Sequence, residues 1–103
     1  MDQLPVLPGT VVTSRQGRDR GRSFVVIRVE DEQFVMMADG LTRKLDHLKK
    51  KRRKHLTACP IECRELIELL EKGQLKDSDI RKVLFPIANQ TTGEMTPKEN
   101  REG

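Results

Sequence analysis

Residues 23–30 constrain the fold of this chain more than any other stretch, because they have the pattern of a strand that is apolar on both faces. In an extended chain Phe24 and Val26 lie on one side, and Val25 and Ile27 lie on the other. A strand of this kind needs an apolar neighbour on each side. We therefore expect residues 23–30 at the centre of a small β-structure and not at its edge.

Four more segments carry strand patterns, and turn residues separate them. They are the β-branched run 10–14, the apolar run 34–38, residues 41–44 and residues 55–57. Asp39-Gly40 is a hairpin signal, which predicts that 34–38 pairs with 41–44. Five short strands in about fifty residues predict a compact SH3-like β-barrel over residues 9–57, after an irregular lead-in at 1–8.

Beyond Pro60 the period of the apolar residues changes to that of a helix. Ile61, Cys63, Leu66 and Ile67 begin an amphipathic stripe that Gly73 should end. A second helix should begin at Asp77 or Ser78, where a side chain can cap it, with Ile80, Val83, Leu84 and Ile87 on its apolar side. We thus expect a mainly β protein with a helical appendage at residues 58–88 and a disordered polar tail at 89–103.

Charge is distributed unevenly along the 103 residues. Residues 1–56 hold thirteen Lys or Arg against seven Asp or Glu, a net charge of +6, whereas residues 57–103 hold seven against nine, a net charge of −2. The basic half should face a polyanion. The chain has three Phe and no Trp or Tyr, which argues against recognition through stacked bases and for recognition of a folded backbone.

A basic loop with a glycine near each end lies between the first two predicted strands. Gly17 and Gly21 permit positive φ angles, and Arg18, Arg20 and Arg22 supply guanidinium groups suited to phosphate. The alternative is a solvated basic turn without a partner, but two glycines around three arginines exceed what such a turn requires. We interpret the loop as an RNA contact.

Residues 9–26 resemble the KOW motif, in which a Gly-Lys/Arg-x-Lys/Arg-Gly loop lies between two strands, and residues 35–40 and 54–56 extend the resemblance to small KOW proteins of the archaeal and eukaryotic large ribosomal subunit. The resemblance covers about half of the chain and implies an SH3-like barrel that binds RNA on the ribosome. Arginines stand at positions 18 and 20, where lysines are also common in the family.

The run of six cations at 49–54 is a second candidate contact, although such a run is also found as a solvated arm. The predicted RNA-binding residues are Arg15, Gly17, Arg18, Arg20, Gly21, Arg22, Arg43, Lys44, Lys49, Lys50, Lys51, Arg52, Arg53 and Lys54. Ribosomal RNA is the expected partner, and ribosomal proteins are a further candidate. The alternatives are a KOW-type module that docks on a ribosomal or transcription-complex protein, and a DNA-binding protein.

The sequence offers little for catalysis. It lacks a nucleophile elbow, a phosphate loop and a His-Glu-x-x-His pair, and we expect neither an enzyme nor a small-molecule substrate or cofactor. His47, His55, Cys59 and Cys63 are zinc-ligand types, but they lack the Cys-x-x-Cys spacing, so no metal is predicted. No segment has the apolar length of a membrane span, and we expect a cytoplasmic protein.

Overall fold

The computed structural model describes the backbone of residues 6–59 and 63–92, and it describes the side chains of these residues as far as residue 86. Its strands are β1 (Val11–Ser14), β2 (Ser23–Val29), β3 (Phe34–Ala38), β4 (Lys49–Arg52) and β5 (Leu56–Ala58), and its helices are α1 (Arg64–Glu71) and α2 (Asp77–Thr92). A turn of 3₁₀ helix at Arg53–His55 joins β4 to β5. The predicted class, mainly β with C-terminal helices, is confirmed.

The strands form one antiparallel sheet in the order β4-β3-β2-β1-β5, which puts β2 in the middle as its sequence predicts. Phe24 and Val26 of β2 are buried in one apolar cluster, together with Val12, Val35, Met37 and Leu56. Val25 points the other way, into a second cluster. The sheet therefore has an apolar core on each face.

The two helices cover the second cluster. Leu66 of α1 and Ile80 and Leu84 of α2 are buried there against Val11 and Val25 of the sheet. Their positions follow the helical period seen in the sequence, and the exposed glutamates of α1 lie outside the buried stripe. The helices and the sheet thus share a core.

The helix ends agree with several sequence signals. α1 ends before Gly73, as predicted, and α2 begins at Asp77, although the carboxylate of Asp77 accepts a hydrogen bond from the N–H of Leu45 at 2.8 Å instead of capping the helix. α2 extends to Thr92, so residues 89–92, which the sequence places in the tail, belong to the helix. Residues 1–5, 60–62 and 93–103, including the predicted stripe residue Ile61, lie outside the described residues. None of the helices in the described part of the chain is long and apolar enough to cross a membrane.

The predicted strand at 41–44 is wrong, because the chain makes an irregular turn there. The carboxylate of Asp39 accepts hydrogen bonds at 2.8 Å from the backbone N–H groups of both Leu41 and Arg43, which closes the chain into a local turn. On the side away from β2, β3 pairs with a strand that comes later in the chain, at Lys49–Arg52 within the cationic run.

Candidate nucleic-acid interface

The basic loop between β1 and β2 has the backbone that its glycines predict. Gly17 and Gly21 adopt φ angles of 91° and 86°, in the region that residues with a Cβ rarely enter. The ladder of β1 and β2 continues at the base of the loop, where the N–H of Ser14 donates to Arg22 O at 2.9 Å and the N–H of Gly21 donates to Ser14 O at 2.8 Å. The arginines are therefore held on a closed, defined loop.

Asp19 ties this loop to the distant strand β4. Its carboxylate is 7% exposed, and its Oδ1 accepts hydrogen bonds from Ser14 Oγ at 2.7 Å and from Lys51 Nζ at 2.9 Å. Lys49 Nζ lies 3.7 Å from Oδ2. The ion pairs of Asp19 are therefore with lysines of β4 and not with the arginines beside it in the sequence.

The charge state of Asp19 follows from these contacts. Burial alone would raise the pKa of its carboxyl group. Hydrogen bonds from Lys51 and Ser14, together with the charges of Lys51 and Lys49, outweigh that effect and hold the pKa below its usual value. At neutral pH the group is therefore an anion, and it holds two cations of β4 against the loop.

Strand alternation divides the cationic run into two sets. Lys49 and Lys51 point toward the loop, with side chains 29% and 11% exposed. Lys50 and Arg52 point to the opposite face, where their charged groups lie 4.7 and 4.9 Å from the centre of the Phe34 ring. A run that looks uniform in sequence thus contributes to two different surfaces.

The remaining two cations of the run also differ from each other. Arg53 donates from Nη2 to Val6 O at 3.1 Å, and its Nε is buried with no hydrogen-bond partner in the described residues. Lys54 is exposed. Arg53 therefore holds the segment before β1 in place, whereas Lys54 is open to solvent.

Cationic side chains from three segments meet around one concavity of about 480 Å³. Its lining includes Arg18 and Arg22 of the loop, Arg43 and His47 of the connection between β3 and β4, and Lys49 of β4, with Asp19 and Phe24 beneath them. Four of the predicted RNA-binding residues, Arg18, Arg22, Arg43 and Lys49, thus line the same concavity. Its shape and charge suit an anionic group.

Arg22 is fixed at the edge of this concavity. Its Nη2 donates to Asp39 Oδ2 at 2.9 Å and to Thr42 Oγ1 at 3.0 Å, and its guanidinium carbon lies 5.8 Å from the centre of the Phe24 ring. Half of the side chain stays exposed. Burial would raise the pKa of Asp39, but hydrogen bonds from Thr42 and the backbone, together with the charge of Arg22, keep it below its usual value.

The other loop arginines have no such partners. Arg15, Arg18 and Arg20 are exposed, and their side chains make no hydrogen bond or ion pair within the described residues. The backbone N–H of Arg15 donates to His55 O at 2.8 Å, which brings the loop next to the end of the cationic run. Desolvation and the surrounding cations, including Lys54 and Arg15, lower the pKa of His55.

Several structural features of this surface escaped the sequence interpretation. Asp39 and Ser14 are buried polar residues that bind both side chains and nearby backbone groups. His47 lines the concavity. Lys44 is exposed in the β3–β4 connection but does not line the concavity. Cys63 is half-buried, and burial raises the pKa of its thiol. Within the described residues, no three His, Cys, Asp or Glu residues are grouped to hold a metal ion.

Comparison of the sequence with known protein families and with curated proteins found no match.

Proposed function

We propose that this chain is a non-catalytic RNA-binding protein of the KOW type that acts in the cytoplasm with the translation apparatus. The observation that supports it is the meeting of Arg18, Arg22, Arg43 and Lys49 around one concavity. Asp19 and Asp39 neutralise part of the charge of these four cations, so the concavity keeps a net positive charge that a polyanion can neutralise. Structured ribosomal RNA is the proposed ligand.

The topology supports an SH3-like barrel. β5 pairs with β1 on one side of the sheet, β4 pairs with β3 on the other, and a single 3₁₀ turn joins β4 to β5. Lys51 of β4 also donates to Gln16 O at 2.7 Å, in the loop after β1. The chain thus connects the two edge strands, and a side-chain bridge connects β4 to the loop after β1, as closure into a barrel would require.

The proposed contact set is smaller than the set predicted from sequence. Lys51 and Arg53 are occupied by intramolecular bonds, and Gly17 and Gly21 act by shaping the loop. The proposed phosphate ligands are Arg15, Arg18, Arg20, Arg22, Arg43, Lys49, Lys50, Arg52 and Lys54, with Lys44 at the margin. Fewer than all of these would touch one RNA at once, because Lys50 and Arg52 lie on the other face of β4.

Recognition through the RNA backbone fits the aromatic residues near this surface. Phe24 is buried in the core, and Phe34 is flanked by Lys50 and Arg52. Neither ring presents an open face for a base. The proposed mechanism is therefore phosphate neutralisation on a surface of fixed shape.

The test is a salt titration of RNA binding by the full chain, read by fluorescence anisotropy with a labelled RNA hairpin. About five neutralised phosphates would give a log-log slope of about −4 to −5. Arg18→Ala with Arg20→Ala should make the slope shallower by about 2. The matched control is Lys72→Ala with Lys76→Ala, which removes the same charge from exposed positions outside the site. An unchanged slope in the arginine variant would remove the loop from the contact surface.

A second measurement separates RNA binding from the alternative of a protein-docking module. The protein should cosediment with ribosomal particles and be released by nuclease treatment, and persistence after digestion would favour a protein contact. Competition by duplex DNA and by structured RNA at the same salt concentration separates RNA binding from DNA binding, and stronger competition by the DNA would contradict the proposal.

A further inference from the structure

A second concavity of about 590 Å³ lies on the other side of Arg22, between α2 and the ends of β2 and β3. One wall is the helical stripe Ser78, Arg81, Lys82 and Phe85. The facing wall includes Gly21–Ser23 and Leu41. We refer to this concavity as the α2 groove.

The α2 groove exposes apolar side chains that the fold does not require to be exposed. Phe85 is 67% exposed and Leu41 is 65% exposed, and they are two of the four large apolar side chains that are exposed within the described residues. Both line the same groove, next to the nearly buried Leu84. Apolar groups gathered in a concavity of this volume are typical of a binding site.

The rim of the groove is cationic. Arg81 and Lys82 are exposed, and Arg22 is half-exposed. The only carboxylate in the lining, Asp39, is 6% exposed and already bound by Arg22 and by the turn that it closes. A ligand that enters the groove therefore meets uncompensated positive charge around an apolar floor.

We propose that the α2 groove binds an acidic peptide segment of a partner protein, with one large apolar side chain inserted between Phe85 and Leu41. Carboxylates of that segment would pair with Lys82 and Arg81 at the rim, and Arg81 would keep its hydrogen bond to Gly40 O at 2.7 Å. An RNA backbone suits this groove less well than the polar concavity, since its phosphates would lie over a mostly apolar lining.

The lining of the groove and the lining of the polar concavity share only Arg22. A peptide in the groove and an RNA on the loop would therefore approach the protein from the two sides of one arginine. The peptide site does not depend on the RNA proposal, because Phe85, Leu41 and Lys82 belong to the groove alone.

The test is selection of a phage-displayed library of random dodecapeptides on the full-length protein. Enriched peptides should carry Asp or Glu beside Leu, Met, Phe or Trp. A synthetic peptide of the enriched sequence, titrated by calorimetry, should bind about tenfold more weakly to Phe85→Ser or Leu41→Ser, because an inserted apolar side chain dominates such interfaces. Lys82→Glu should weaken binding about fivefold through charge reversal at the rim.

Matched controls change the same chemistry elsewhere. Leu7→Ser removes an apolar side chain that is 50% exposed outside the groove, and Lys72→Glu reverses a charge at the end of α1. Both should leave peptide binding unchanged, as should Arg18→Ala with Arg20→Ala. Enriched peptides without acidic residues would overturn the proposal. So would peptide binding that neither Phe85→Ser nor Lys82→Glu weakens.

Two other occupants give distinct results that also overturn it. If Phe85→Ser abolishes self-association in sedimentation equilibrium, the groove binds a second copy of this chain. If Phe85→Ser weakens binding of the RNA hairpin as much as the loop variants do, the groove belongs to the RNA surface.

Discussion

The loop at residues 15–22 and the strand β4 are both rich in cations, but they use them differently. In the loop, Arg15, Arg18 and Arg20 extend into solvent without partners among the described residues. In β4, Lys49 and Lys51 are bound to Asp19, and Lys50 and Arg52 lie against a phenyl ring. The strand holds the loop in place, and the loop presents the charge.

The difference shows that a run of like charges in sequence is not a single functional unit once it forms a strand. The side chains of β4 point alternately to the two faces of the sheet, so neighbouring lysines make different contacts. The burial of Lys51 and the exposure of Lys50 provide a direct comparison between adjacent residues of the same type.

The largest effect should be on stability, from Lys51→Ala. The variant leaves the buried carboxylate of Asp19 with the Ser14 hydroxyl group and with one cation, Lys49, at 3.7 Å. We expect the free energy of unfolding to fall by about 2 kcal/mol, less than the loss for a fully buried pair because one cation remains. Urea unfolding followed by circular dichroism measures it. Lys50→Ala is the control and should lower the free energy of unfolding by less than about 0.5 kcal/mol. Equal losses in the two variants would contradict the assignment of Lys51 to the contact with Asp19 and of Lys50 to the opposite face.

The next largest effect should be on RNA binding, where Lys50→Ala should have a larger effect than Lys51→Ala. Lys50→Ala should weaken binding of the RNA hairpin by about fivefold to eightfold near 0.1 M salt if Lys50 meets a phosphate, since each lost contact shifts the salt slope by about 0.7 to 0.9. Lys51→Ala should leave the slope unchanged, because its ammonium group is occupied by Asp19 and Gln16. Anisotropy at four salt concentrations distinguishes the two variants. A change of slope in Lys51→Ala alone would reverse our assignment of the two lysines.

The smallest effect should appear in the pH dependence of stability. The pKa of Asp19 is lowered from 3.8, so the stability that its anion contributes is present above pH 3.8 and is lost as the pH falls through the lower folded-state pKa. Asp19→Asn should therefore be less stable than the wild type at pH 7, and the difference should shrink below pH 3.8. Thermal unfolding from pH 7 to pH 2 measures this difference. A difference that stays constant across this range would show that Asp19 does not act through its charge.

The central position of β2 and the shape of the loop could be predicted from sequence because both depend on neighbouring residues. Alternating apolar residues on two faces require cover on two sides, and glycines at positions 17 and 21 permit the φ angles that the turn adopts. Local patterns of this kind can be recognised in a single sequence.

The fourth strand could not be predicted in the same way. Lys49–Arg52 has no apolar alternation, and the buried positions of its inward lysines depend on Asp19, which lies thirty or more residues earlier in the chain. The turn after β3 was misassigned because Asp39-Gly40 favours a tight hairpin, whereas the Asp39 carboxylate binds the backbone of the following residues. A partner that is distant in sequence decided the first outcome, and a local contact between a side chain and the backbone decided the second.

The apolar clusters on both faces of the sheet also govern how this protein can be divided. A fragment that stops after β5 would leave Val11, Val25 and Ala38 without the helices that bury them. Such a fragment would need another apolar cover to stay soluble, and the missing helices, supplied as a separate peptide, have the complementary stripe of Leu66, Ile80 and Leu84. The protein is therefore a candidate for reconstitution from two halves, with recovery of RNA binding as a reporter of their association.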